Sequence, residues 1–64
     1  MKEVGTYWGD GSGCIFKIIG LEPTKNLIKV YVLLPSGDTS WCFMHHMNLA
    51  TPVSEEEFLI ASIQ

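Results

Sequence analysis

Three clusters of turn-forming residues constrain this chain more than anything else in it. Gly9-Asp10-Gly11-Ser12-Gly13, Pro23-Thr24-Lys25-Asn26 and Pro35-Ser36-Gly37-Asp38 interrupt it at short intervals. Glycine supplies positive φ, proline fixes φ and removes a donor, and Asp, Asn and Ser bond back to nearby backbone, so each cluster reverses the chain. The runs left between them are Val4 to Trp8, Cys14 to Gly20, Leu27 to Leu34 and Thr39 to Met44. Each is of strand length and rich in β-branched or aromatic residues, which predicts four strands. Neither central run has helical spacing before Gly or Pro closes it.

Alternation then assigns faces. Phe16 and Ile18 share one side of the second run, and Ile28, Val30, Val32 and Leu34 one side of the third. These two sets are expected to meet in the core, while Lys17, Lys29 and Tyr31 point the other way. Ile15, Ile19 and Leu33 fall on the outer side with Tyr31, making that face unusually apolar. Phe16, Phe43 and Phe58 are expected to be core. Leu33 to Trp41 reads as a hairpin with Pro35, Gly37 and Asp38 at its tip, and His45 to Leu49 as a short turn, one of 3₁₀ type included. Ala50 to Val53 returns as a last strand that Pro52 confines to an edge. Ser54-Glu55-Glu56-Glu57 is a capping box, and Phe58, Leu59, Ser62 and Ile63 recur at helical spacing, which predicts a C-terminal helix over 54–63.

At 64 residues the chain allows one domain, 1–64, that buries only about 60% of its unfolded surface. Such a chain needs many apolar residues or help from a partner. Apolar residues make up 47% and charged residues 17%, which disfavours intrinsic disorder and implies that some apolar groups stay on the surface. Four lysines, no arginine and a net charge of −3 argue against a general nucleic-acid binder. Lys17, Lys25 and Lys29 are the only basis for a local basic patch. No apolar leader follows Met1 and no run approaches the roughly 20 apolar residues of a membrane span, so a cytoplasmic protein with no membrane association and with Cys14 and Cys42 reduced is expected.

No constellation amounts to catalytic chemistry. Gly9 to Gly13 lacks the Gly-Lys-Ser/Thr ending of a phosphate-binding loop and precedes a strand rather than a helix. Cys42, His45 and His46 supply at best half a zinc site, and adjacent histidines on a strand or turn point apart. Ser40, His45 and Asp38 lack an activated nucleophile, and Glu55 to Glu57 read as first-turn helix charges. The expectation is no catalytic residues, no metal and no cofactor. Tyr7, Trp8, Tyr31 and Trp41 stand out instead as candidate partner-binding residues, near the acids Asp10 and Asp38.

The order of these pieces resembles the SH3-like small β-barrel proteins, among them many short proteins of bacteria and their phages. The features are a glycine-rich turn, Cys14 to Gly20, a long hairpin over 27–43 with a Gly37-Asp38 tip, a short turn, and a finish at Leu49, Thr51 and Pro52. The resemblance covers roughly residues 4 to 53 and leaves the helix as an addition. It implies a mostly-β, SH3-like small barrel of four to five short antiparallel strands. It also implies a non-enzymatic module that binds another protein, as a small regulator or inhibitor of a larger bacterial or phage complex. The acidic specificity loop and paired tyrosines of peptide-binding SH3 domains are missing, so proline-rich ligands are not implied. The alternatives are a nucleic-acid-associated barrel using Lys17, Lys25 and Lys29, and a structural subunit that forms a homo-dimer through its C-terminal helix.

Overall fold

The computed structural model describes residues 2–64. It is mostly β, with strands β1 (Tyr7–Gly9), β2 (Ile15–Pro23), β3 (Ile28–Leu33), β4 (Thr39–Phe43) and β5 (Thr51–Pro52). A 3₁₀ turn at Met44–Met47 separates β4 from β5, and a helix α1 (Glu55–Ser62) follows. The strands form one antiparallel sheet in the order β4-β3-β2-β1-β5. It is an open sheet rather than the closed barrel that the resemblance implied. Closure would need a ladder between β4 and β5, and β5 offers only two residues, one of them a proline without a donor. Among the described residues no helix is long and apolar enough to cross a membrane.

The turns form as their residues require. At the β3–β4 hairpin the Leu34 N–H donates to the Asp38 carbonyl at 2.8 Å and the Gly37 N–H to the Leu34 carbonyl at 2.9 Å. Gly37 has φ of 96°, a conformation that residues with a Cβ rarely adopt. The first turn is closed by the Asp10 N–H on the Cys14 carbonyl, 3.1 Å, and by an Asx turn in which Asp10 Oδ1 accepts from the Ser12 N–H at 2.9 Å.

β2 runs past the expected end at Gly20 to Pro23. Ile18 pairs with Val32 but Gly20 pairs with Tyr31, so Ile19 is an extra residue, a bulge that bends the strand. Gly20 is a strand residue through its pairing with Tyr31, and a Cβ there would make ordinary contact, 3.5 Å, with Tyr31 Cδ2. The first strand is shorter than the run from Val4, since Val4 and Gly5 form a turn.

The core is Trp8, Ile18, Val30, Val32 and Met47, with Phe16, Leu34, Cys42, Met44 and Ala50 packed against it. Ile18, Val30 and Val32 are where alternation put them. Two expected core residues are not. Ile28 opens β3 opposite Pro23 and is exposed. Phe43 follows Cys42, which is paired with the buried Val30, so Phe43 faces the other side beside Lys29.

The helix forms from its cap. Ser54 Oγ accepts from the Glu57 N–H at 3.1 Å, and three glutamates occupy the positive end of the helix. Phe58 is buried, its ring 5.2 Å from that of Tyr7, and the Tyr7 hydroxyl donates to Glu55 Oε2 at 3.0 Å. Tyr7 alternates with Trp8, so α1 lies on the face opposite the core. The sheet is thereby covered on one side by the Met44–Ala50 segment and, at its β1 end only, on the other side by the helix.

Candidate functional site: the outer face of the sheet

Beyond the helix the outer face is organised in rows across the strands. One row is Gly20, Tyr31 and Trp41, and the next is Glu22, Lys29 and Phe43. The bulge at Ile19 creates the first row by bringing Gly20 opposite Tyr31. Ile19, Gly20, Tyr31, Thr39, Ser40 and Trp41 enclose an open, largely apolar groove of about 450 Å³.

Charges and rings hold one another in place around it. The Lys29 Nζ stands 4.2 Å from the Trp41 ring centroid and 5.4 Å from that of Tyr31. Such cation–π contacts are worth about 0.5–1 kcal/mol at exposed sites. The Tyr31 hydroxyl donates to Glu22 Oε1 at 2.9 Å. Phe43, opposite Lys29 in the neighbouring row, meets the Trp41 ring edge-on at 5.3 Å and stacks on His45 at 5.9 Å. Trp41 is nonetheless 50% exposed. The result is a strip of rings from Tyr31 through Trp41 and Phe43 to His45, preorganised by its neighbours and open to solvent.

Of the four residues singled out in the sequence, Tyr31 and Trp41 are brought together here. Tyr7 shares the face but lies under the helix, with Lys17 Nζ 5.6 Å from its ring centroid. Trp8 is on the opposite face, paired with Phe16 and 9% exposed, and its indole N–H is satisfied by Thr6 Oγ1 at 2.8 Å. It belongs to the core. Phe43 and His45 were missed, although Phe43 stands two residues from Trp41 in one strand and so shares its face.

A second groove, about 370 Å³, opens at the mouth of the core among Asp10, Phe16, Cys42, His46, Met47 and Leu49. Burial pushes the Cys42 thiol pKa up. Cys14 is exposed, and both cysteines are free. Among the described residues no three His, Cys, Asp or Glu side chains gather closely enough to hold a metal ion. No family model, no curated protein and no solved structure matches this chain.

Proposed function

We propose that this protein is a non-enzymatic interaction module that binds another protein through the groove beside Tyr31 and Trp41. The observation that carries the reading is Trp41, half exposed yet in contact with Lys29 and Phe43 next to an open apolar groove. Tryptophan and tyrosine anchors of this kind carry most of the energy in protein interfaces, and rigid anchors lose little entropy on binding. Lys29 and Glu22 at its margin supply the polar rim. The SH3-like reading of the fold belongs to the same proposal. It is supported by the element order: glycine-rich turn, long bent strand, hairpin with a Gly37 tip, aromatic strand, 3₁₀ turn and Pro52 edge. With it comes the role of a small regulator or inhibitor within a larger assembly.

Affinity capture on the immobilised protein, followed by titration of the recovered partner, tests it. Trp41→Ala or Tyr31→Ala is expected to weaken binding by about 2 kcal/mol or more, some thirtyfold. A second reading, binding of single-stranded nucleic acid, is favoured by Lys17 and Lys29 lying over rings on this same face. Affinity that falls steeply with salt and is lost in Lys17→Ala and Lys29→Ala would replace the first reading with the second.

A further inference from the structure

The segment that covers the inner face carries chemistry that the outer face does not use. Every residue but Phe43 in Cys42-Phe43-Met44-His45-His46-Met47 bears a sulfur or an imidazole. Pairing with the buried Val30 turns Cys42 toward the core. The 3₁₀ turn then carries the chain back across that face. Its three-residue repeat sets Met44 and Met47 on one side, both against the core. His46 stays exposed, and its ring does not point away from that of His45 as adjacent histidines are expected to: the two ring centroids are 4.1 Å apart. Cys42, His46 and Met47 thus line one groove, the opening of about 370 Å³ at the mouth of the core, with Phe16 and Ala50 as apolar wall. The Cys42 thiol there is free and half-buried.

We propose that Cys42, His46 and Met47 form a binding site for one monovalent copper ion. Among the described residues no three His, Cys, Asp or Glu side chains gather, so the groove does not offer the ligand set of zinc or of a hard divalent cation. It offers a thiol, an imidazole and a thioether, and cuprous copper is the ion that thiolate and thioether sulfur both select. Methionine is unbranched and flexible, so the Met47 sulfur turns toward an ion without a change of backbone. Charge points to the same ion. On binding, Cys42 releases its proton to solvent, and a thiolate with one positive charge is neutral overall. The ion then enters a half-buried, largely apolar groove without leaving a net charge there, whereas a divalent ion would leave one uncompensated. Asp10 is the one carboxylate lining the groove, and its Oδ1 already accepts from the Ser12 N–H and hydroxyl. His46, the exposed member, stands where the ion enters, and the buried Met47 where it stops. This site is independent of the binding of another protein beside Trp41, which lies on the opposite face.

Anaerobic titration with Cu(I), kept reduced by ascorbate and set against a Cu(I)-specific chelator, tests it when paired with NMR of the methionine methyls. The expected result is one ion per monomeric chain, with a shift of the Met47 ε-methyl that saturates at one equivalent. Met47→Leu keeps the side-chain volume in the core, and it is expected to weaken binding at least about tenfold, as is His46→Gln. Cys42→Ser is expected to abolish binding, and Cys14→Ser to leave it unchanged. Zn²⁺ is expected to leave the Met47 methyl signal in place. An ion shared between two chains, binding lost in Cys14→Ser, or an affinity unchanged in Met47→Leu would each mean adventitious capture by a thiol and overturn the proposal. So would Zn²⁺ moving the Met47 methyl as far as Cu(I) does. The methyl titration of the wild-type chain decides the matter even if a variant does not fold.

Discussion

Trp8 and Trp41 are the same side chain in strands of the same sheet, and they do opposite things. Trp8 sits in β1, between β2 and β5, on the face where Ile18, Val30, Val32 and Met47 gather. Its nitrogen is paired with Thr6, and it is 9% exposed. Trp41 sits in the edge strand β4 on the other face, past the reach of the helix, with a lysine above it and half its surface in water. Burial is thus decided by the face and by the place of the strand in the sheet order, not by the hydrophobicity of the residue.

Truncating each ring separates the two regions most sharply. Trp8→Ala is expected to destabilise the fold by about 3–5 kcal/mol, comparable to the whole stability a chain this short can have. Trp41→Ala is expected to change stability by only about 1 kcal/mol, through the cation–π contact, the edge-on contact with Phe43 and some apolar area. Urea unfolding followed by circular dichroism measures both. Equal losses in the two variants would break the division into a core face and a working face.

The next largest effect lies at the boundary between those regions, where α1 covers part of the outer face. Phe58→Ala is expected to cost about 3 kcal/mol, because the ring is buried against Tyr7 and the helix is too short to persist undocked. Tyr7→Phe removes only the exposed hydrogen bond to Glu55 and is expected to cost less than about 0.5 kcal/mol. If Phe58→Ala leaves the unfolding midpoint in place, the helix is not part of the fold's stability and the outer face is open along its whole length.

The elements that local chemistry dictates were legible in the sequence. The three turn clusters, the Ser54 cap with its helix, and the Pro52 edge are all specified by residues adjacent in the chain. Val30 and Val32 were legible as core because β3 alternates without interruption, and Ile18 because the bulge in β2 comes only after it. What alternation does not carry is register and sheet order. Gly20 read as a strand end because a glycine weakens a strand, and only its pairing with Tyr31 makes it a strand residue. Phe43 read as core by size, while its face is fixed by Cys42 opposite Val30. Whether the sheet closes depends on how many residues the last strand pairs, and two residues do not announce themselves. Tyr31 and Trp41 were legible as candidate residues, and the strand pairing sets them side by side. Their separation from Trp8 required knowing which face each strand turns inward.

The thiols compare the two sides of the molecule on a smaller scale. Cys14 is exposed beside the first turn, whereas Cys42 lies against the core and its pKa is raised by burial. Less thiolate forms at Cys42 at mildly alkaline pH, and thiolate is the reactive species. Iodoacetamide at about pH 8 is expected to modify Cys14 first, with Cys42 slower by roughly tenfold or more until urea exposes it. Mass spectrometry of peptides from a time course reads the ratio. Equal rates in the native protein would place Cys42 in solvent and open the core face at β4.

The smallest effect concerns the carboxyl at the rim of that same core face. The Asp10 pKa is lowered from 3.8, first by the hydrogen bond its carboxylate accepts from the Ser12 backbone N–H and then by one from the Ser12 hydroxyl. A group whose pKa is depressed in the folded state contributes stability that is fully present above the unfolded pKa. That contribution disappears as the pH falls through the folded value. The turn Gly9 to Gly13 should therefore loosen only under acid conditions, below 3.8, and not near neutrality. Two substitutions distinguish the two hydrogen bonds. Ser12→Ala removes the hydroxyl but keeps the backbone donor, so the Asp10 carboxyl should move part of the way back toward 3.8 in a carbon-detected titration. Asp10→Asn removes the ionisation and should abolish the acid-dependent part of the loss while leaving the outer face, and binding through Trp41, unaffected. A full return of the Asp10 pKa in Ser12→Ala would mean that the hydroxyl alone stabilises the carboxylate, and that the Asx turn is not what holds the loop.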